Sequence, residues 1–569
     1  MQKAPSVARS VLLALSLLSA CAAADATSDA VATSGTSTPR RSMGPAVPGT
    51  AAAYLSGLFA AAQGDNDFAA QQFIRALNSD PTNAVIRQQA FLASLLSGRT
   101  DALRLAQMMP DDQIAQLLLA DADVTAGRWE AAETRFAGLP RSGLTQLLQP
   151  MLLAWAQAGQ GRTDVALATL SAAPEAQRFH AVYALHGAMI ADFGKRTADA
   201  ARLYRVAATE FGGTNLQLAR QLASWQTRQG YPAEAKDTIA GLLESNPEFA
   251  IAGQSLEAAI GEKQVRNPAD GIAEAYLTLA GALRNQERVA YAPVLLQLAL
   301  NLRPDLTAAR LLVAELQEAR TRSDLAQRVL APVLATDPLA PMVRLRQAAI
   351  ADRLGNNAEA LRILDKLAKD LPDRPEVPTM QGDLLRQKKH FAEAVAAYDR
   401  AIALLPQPPT KGSWGLYYYR GIALDRAKQW SRAEADLLLA LELQPDQPFV
   451  LNYLAYSWTE QGRNFPRARE MIERAVQLRP NDGEITDSLG WVLLRQGDVA
   501  GSIKYLERAV ELEPEDATIT GHLGDAYWAA GRKLEAQFQW RRALNLKPEA
   551  EDVPKLQAKL HDAGDTAQP

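Results

Sequence analysis

Leu489 to Pro514 reads LGWVLLRQGDVAGSIKYLERAVELEP, and 34 residues later, at Leu523, the pattern returns as LGDAYWAAGRKLEAQFQWRRALNLKP. Leu489 and Leu493 make an apolar stripe on a first helix, and Ile503, Leu506 and Val510 make one on a second. Small residues at Gly490, Ser502 and Ala509 stand where two helices approach closely, with large residues between them, as ridges-into-grooves packing requires. Gly497 ends the first helix and Pro514 stops the second. A hairpin of this kind cannot cover its own stripe, so it is stable only when stacked on neighbours.

Outward from this unit the register runs in both directions. Prolines fall at 304, 338, 372 and 406, each 34 apart, and then at 445, 480, 514 and 548. The longer step between 406 and 445 carries the insert QPPTKGS at 407–413, and the step to 480 carries one extra residue near Asn464. The spacing predicts eight regular hairpins over 273–550 and about fourteen in all. Toward the N-terminus, Ala69, Phe73, Ala76 and Pro81 mark a clear first unit. From Thr82 to Phe211 the repeats are degenerate, marked by Gly127, Ala132 and Phe136, by Gly159, Ala166 and Leu170, and by Ala201, Tyr204 and Ala207. Register sharpens at Gly230, Ala235 and Pro247, then breaks across 248–272, where loop residues place a module boundary. Leu556 and Leu560 lie on one side of a charged segment, suiting a cap on the last apolar face. The reading is therefore a degenerate array over 51–247, an irregular junction over 248–272, a regular array over 273–550, and a capping helix with a tail over 551–569.

The spacing of Gly, Tyr, Ala, aromatic, Ala and Pro in these units resembles the tetratricopeptide repeat. The resemblance implies an all-α solenoid of helical hairpins wound as a right-handed superhelix. It also implies that the first helix of each unit lines the concave side. The inward positions of the last repeats hold Tyr418; Phe449, Asn452 and Tyr456; Asp487, Trp491 and Leu494; and Asp525 and Trp528. Aromatic rings recur there in four successive units, and Trp and Tyr are enriched at interface hot spots. Two readings stand: an exposed groove for a protein or peptide partner, or rings packed on adjacent helices. Trp458 and Trp540 occupy core positions, and Asn452 is placed to hydrogen-bond an extended peptide backbone. The Lys and Asn set of the carboxylate-clamp repeats is not present.

The N-terminal residues 1–20 have the form of a signal peptide. Lys3 and Arg9 precede the short apolar run Val11–Leu18, and Leu18-Ser19-Ala20-Cys21 resembles a bacterial lipobox. The resemblance implies that Cys21, the one cysteine of the chain, is lipidated and becomes the mature N-terminus. An ordinary secretory signal with an incidental cysteine is the other reading. Ala22, by likeness to enterobacterial sorting, favours the outer membrane's inner leaflet. Residues 21–50 are rich in Ala, Ser, Thr, Gly and Pro, the composition of a disordered tether with a span of about 30 Å.

Composition narrows the function classes. A formal charge of -4 gives no electrostatic reason to expect nucleic acid as a partner. His180, His186, His390, His522 and His561 are scattered without metal-binding spacing, so no metal, cofactor or zinc chemistry is expected, and each reads as a surface or interface residue. No nucleophile elbow or phosphate loop occurs, and no stretch outside the repeats is long enough for an enzyme domain. The run from Val450 to Leu544, beginning VLNYLAYSWTEQGRN, is similar to the C-terminal repeats of large proteobacterial lipoproteins of the tetratricopeptide-repeat class. One of these partners a carboxy-terminal processing protease and presents cell-wall hydrolases to it. That likeness implies a non-catalytic periplasmic adaptor, anchored through its lipid. The alternative is a structural part of an envelope export, polysaccharide-secretion or outer-membrane assembly complex.

Overall fold

The computed structural model describes residues 49–174, 179–211, 215–283 and 291–564. The signal-like segment, Cys21 and nearly all of the tether lie outside the described residues. Within them the chain is an all-α helical-hairpin solenoid, whose hairpins begin at Thr50 and end with Lys533–Asn545, followed by a single helix, Val553–Asp562. The unit that set the register folds as Gly483–Arg495 and Val499–Leu512. Asp482 accepts a hydrogen bond from the Ile485 amide at 3.1 Å and Asp498 one from Gly501 at 2.9 Å, so each helix start has a side-chain cap. Between them Gly497 adopts φ +86°, which a side chain would strain. Gly490 lets the two helices close, since a Cβ there would meet Leu506 Cγ at 2.6 Å. Leu489, Leu493, Leu506 and Ala509 are buried, as the stripes require, and Trp458 and Trp540 are core residues.

The chain falls into two compact units, one up to Ile363 and the other from Leu364 onward. In the second, the first helices of neighbouring hairpins touch each other as well as their own partners, which lays them side by side as one layer. Leu556 and Leu560 of the terminal helix are buried against the last hairpin, in a cluster with Leu523, Tyr527 and Trp540. Residues 248–272 form a 3-10 turn, Pro247–Ala252, a short helix, Gly253–Ala258, a loop, and the start of the helix Pro268–Leu283.

That last helix organises the first unit. It is covered on all sides as far as Ala280, with Ile272, Ala273, Tyr276, Leu277 and Leu279 buried, and only Gly281 and Ala282 near its end are exposed. It packs on the first helices of earlier hairpins, Gln113–Thr125, Leu144–Gly159 and His180–Phe193, while its partner helix Ala292–Leu302 touches Ala84–Leu96. Gly271 lies flat against the Trp155 indole, where any side chain would clash. The Tyr276 hydroxyl donates to the buried carboxyl of Asp121 at 2.9 Å. Trp155 Nε1 donates to His186 Nδ1 at 3.1 Å, and His186 Nε2 lies 3.3 Å from the Thr278 hydroxyl. Burial pushes His186 down to about 3, so the ring is neutral and Nε2 is its donor. Glu274 is held by Arg303 at 3.0 Å and Gln217 at 2.6 Å, which satisfies a charge that burial would otherwise make costly. Further on, Arg322 donates to the Gln63 carbonyl, joining the turns of hairpins 259 residues apart. The first unit thus fills its inner side with a hairpin of its own chain. Of the histidines read as surface or interface residues, His186 is buried between helices and His522 is half-buried.

Candidate functional site

The nine residues expected to face inward in the second unit lie on four successive first helices: Trp414–Arg426, Pro448–Glu460, Gly483–Arg495 and Ala517–Ala529. Their environments differ. Tyr456, Asp487 and Trp491 come together around Glu460 and His522. Trp491 stacks on the His522 imidazole with ring centroids 4.2 Å apart and 19° between planes, and its Nε1 donates to Glu460 at 2.7 Å. His522 Nδ1 lies 2.9 Å from the Asp487 carboxylate, which is 5% exposed. Burial alone drives His522 down, but the Asp487 carboxylate beside it, with Asp525 adding, lifts its pKa above the ordinary imidazole value. The Tyr456 phenol is pushed up, first by burial and then by Glu460 and Asp487.

Tyr418 belongs to a second cluster, 5.2 Å from Tyr419 and edge-on to Tyr453 at 6.2 Å, and Tyr453 donates to Asp425 at 2.9 Å. Phe449, 39% exposed, stands at the helix start with the Arg479 guanidinium 4.6 Å above its ring. Leu494, Asp525 and Trp528 are drawn into the packing of the last hairpin and its cap. Leu494 packs against the terminal cluster. Asp525 binds Lys559 at 2.7 Å and accepts from Trp540 Nε1 at 2.9 Å, and Trp528 lies 5.4 Å from the Trp540 ring. Asn452 is half-buried and unlike the rest: its Oδ1 is buried without a hydrogen-bond partner, which costs free energy unless something else supplies a donor.

Sequence reasoning missed His522, Glu460 and Tyr453. A signal for them existed: Asp487 and His522 are 35 residues apart, Trp491 and Glu460 31, and Tyr453 and Asp425 28, each one repeat give or take a turn or two. Aligning the repeats and asking which polar residues oppose each other would have paired them. The layer offers stacking faces, carboxylates and one free amide. Among the described residues no three His, Cys, Asp or Glu side chains are grouped as a metal site.

Residues 311–375, 379–448, 460–507 and 488–544 match the family model described as tetratricopeptide repeat. Over those residues the chain carries tetratricopeptide repeats, and it is distantly related to other proteins built from them. It is 28% identical over 164 residues to a repeat-containing protein of Pseudomonas aeruginosa, covering 29% of this chain and 27% of that relative. The chain therefore spans about a quarter of the length of the curated relative it matches. Among solved structures it is similar to a tetratricopeptide repeat protein from Parabacteroides merdae, with TM-score 0.37 and 15% identity over 44% of this chain and 97% of that one. It is also similar to a chain of the APC/C hetero-tetramer Cut9-Hcn1, with TM-score 0.37 and 13% identity over 84% of this chain and 96% of that one.

Proposed function

We propose that this protein is a non-catalytic adaptor of the bacterial cell envelope, lipidated at Cys21 and facing the periplasm from the outer membrane. Its second unit binds a protein segment along the first helices of its hairpins. The partner class we favour, by the likeness of the C-terminal repeats, is a carboxy-terminal processing protease or the wall hydrolases presented to it. One observation carries the binding part: the Asn452 amide, unpartnered in the free protein, sits in a row with Phe449, Tyr456 and Trp491 on one helical layer. No described helix is long and apolar enough to cross a membrane, so the membrane part rests on the lipobox-like Leu18–Cys21 alone.

The test uses the lipidated full-length protein in its own membranes, with a photo-crosslinking amino acid in place of Phe449 or Tyr456. The reading predicts that both positions capture one protease or hydrolase, and that Asn452→Ala weakens the capture about fivefold, the value of one hydrogen bond. The same substitution does not destabilise the free protein, because it breaks no hydrogen bond there and removes an unpaired buried oxygen. Cys21→Ser releases the protein from the membrane fraction. A stoichiometric complex with a barrel protein, crosslinked elsewhere, would replace the adaptor with an assembly scaffold.

A further inference from the structure

The end of the chain touches more of the second unit than a cap needs. Its helix Val553–Asp562 is anchored on the last hairpin, where Leu556 and Leu560 are buried, Lys559 Nζ donates to Asp525 at 2.7 Å and the Ala563 carbonyl accepts from Gln537 at 3.0 Å. The loop 546–552 that leads into this helix reaches toward earlier hairpins. Lys555 is within electrostatic reach of Glu460, the carboxylate that also takes the Trp491 indole N–H. Asp552, which accepts from Lys555 at 2.7 Å, is within reach of the Tyr456 phenol, pushed up by burial first and then by Glu460, Asp487 and Asp552. Glu549 meets Lys389 at 3.0 Å, in the turn of the hairpin 376–403 and 160 residues away. Between Glu549 and Lys559 the chain thus touches both ends of the unit, and its middle faces the half-buried Tyr456 and Trp491.

The two attachments differ in kind. The anchor is two buried leucines and an ion pair whose carboxylate is mostly covered. The far contact joins side chains 69% and 67% exposed, and a pair so open to water holds weakly and is screened by salt. Residues 546–552 contain no helix and bury no side chain. A segment with so few buried contacts opens far more readily than the helices beneath it. Losing the one contact between Glu549 and Lys389 therefore frees the loop to retract toward the last hairpin, while Leu556 and Leu560 stay in place.

We propose that the loop 546–552 is a strap that controls access to the inner layer: latched by Glu549 on Lys389 it shields Tyr456 and Trp491, and unlatched it uncovers them to an incoming protein segment. What enters rests on the binding role proposed for that layer; the strap itself is read without a partner. In the full-length chain, Cys21→Ser leaves no native thiol, and Tyr456→Cys reports access through its rate of modification by a small maleimide. Lys389→Glu raises that rate about two- to fivefold, the range over which one exposed ion pair moves an equilibrium. Salt at about 0.5 M raises it in the parent but not further in Lys389→Glu. The swap Lys389→Glu with Glu549→Lys returns the rate to that of the parent, which a general loosening of the fold would not do. Ala500→Cys, exposed on the helix Val499–Leu512, reacts at one rate in every background. Glu549→Lys alone repeats the test if Lys389→Glu does not fold. A rate at 456 that neither single variant changes, or that the swap fails to restore, overturns the strap. Photo-capture at Tyr456 in the lipidated protein then separates the two readings. Capture that rises with Lys389→Glu and falls back in the swap supports the gate, and capture that stays level while the thiol rate rises overturns it. No capture in any background removes the binding role, and the thiol rates alone decide the strap.

Discussion

At the scale of single residues, His522 and His186 bend the pH dependence of stability in opposite directions. His522 is raised above its ordinary value of 6.5, so the stability it contributes through Asp487 is fully present below that pH and is lost as pH rises through the higher folded value. The difference in urea midpoint between the wild type and His522→Gln is therefore expected to be largest in mild acid and to shrink in base. His186 is depressed from 6.5 to about 3, so its contribution is present above pH 6.5 and is lost as pH falls toward 3. Asp121 adds a third term: burial holds its carboxyl protonated well above the usual carboxylate range, against the smaller pull of the Tyr276 hydroxyl. A raised acid costs stability progressively as pH climbs above the unfolded value. Asp121→Asn, which keeps the shape and removes the proton, is expected to raise the melting temperature more at pH 8 than at pH 4. Equal effects at both would place that carboxyl in contact with water.

At the scale of helices and hairpins, the fold hangs on close approaches through glycine. Gly524 brings its helix against the Trp540 indole, and Gly271 does the same against Trp155. Alanine at either position forces a large ring or a helix to move, at a cost of about 1–3 kcal/mol, readable by chemical denaturation. Much of this layer was legible in the sequence, because a hairpin repeat writes its contacts within one period: Gly490 above Leu506, Gly497 at the turn, Ala509 at the crossing. That the residues from Tyr418 to Trp528 share one row of first helices was legible for the same reason. The row's division into a middle around Asn452, Tyr456 and Trp491 and a part consumed by the cap, Leu494, Asp525 and Trp528, was not. That division depends on Lys559 reaching Asp525, a contact with the chain's irregular end rather than with a repeat. The closure of the first unit left no periodic mark at all, since Tyr276 and Asp121 are 155 residues apart. One trace was present: IAEAYLTLAGAL at 272–283 is apolar on every side, the pattern of a helix covered all round rather than striped.

At the scale of the whole chain, the two units use one building block to different ends. The first spends its inner layer on itself, packing the hairpin of 268–302 against the first helices of its earlier hairpins. The degeneracy has a physical reason there: residues that would keep the repeat pattern are replaced by those that meet the resident hairpin, such as Asp121, Trp155 and His186. The second unit keeps its inner layer partly free. Hydrogen exchange should separate them, with amides of 144–159 and 268–283 among the slowest and those of 448–460 slowed only when a partner is bound.

The self-filled first unit also limits how such a chain can change in length. In a plain stack, each block leans only on the next, and one more can be spliced in with little harm. Where Arg322 must reach Gln63 and Tyr276 must reach Asp121, an added or deleted 34-residue block between 126 and 210 would shift both meetings out of alignment, whereas the same edit between 448 and 512 would lengthen or shorten the protein and leave it folded.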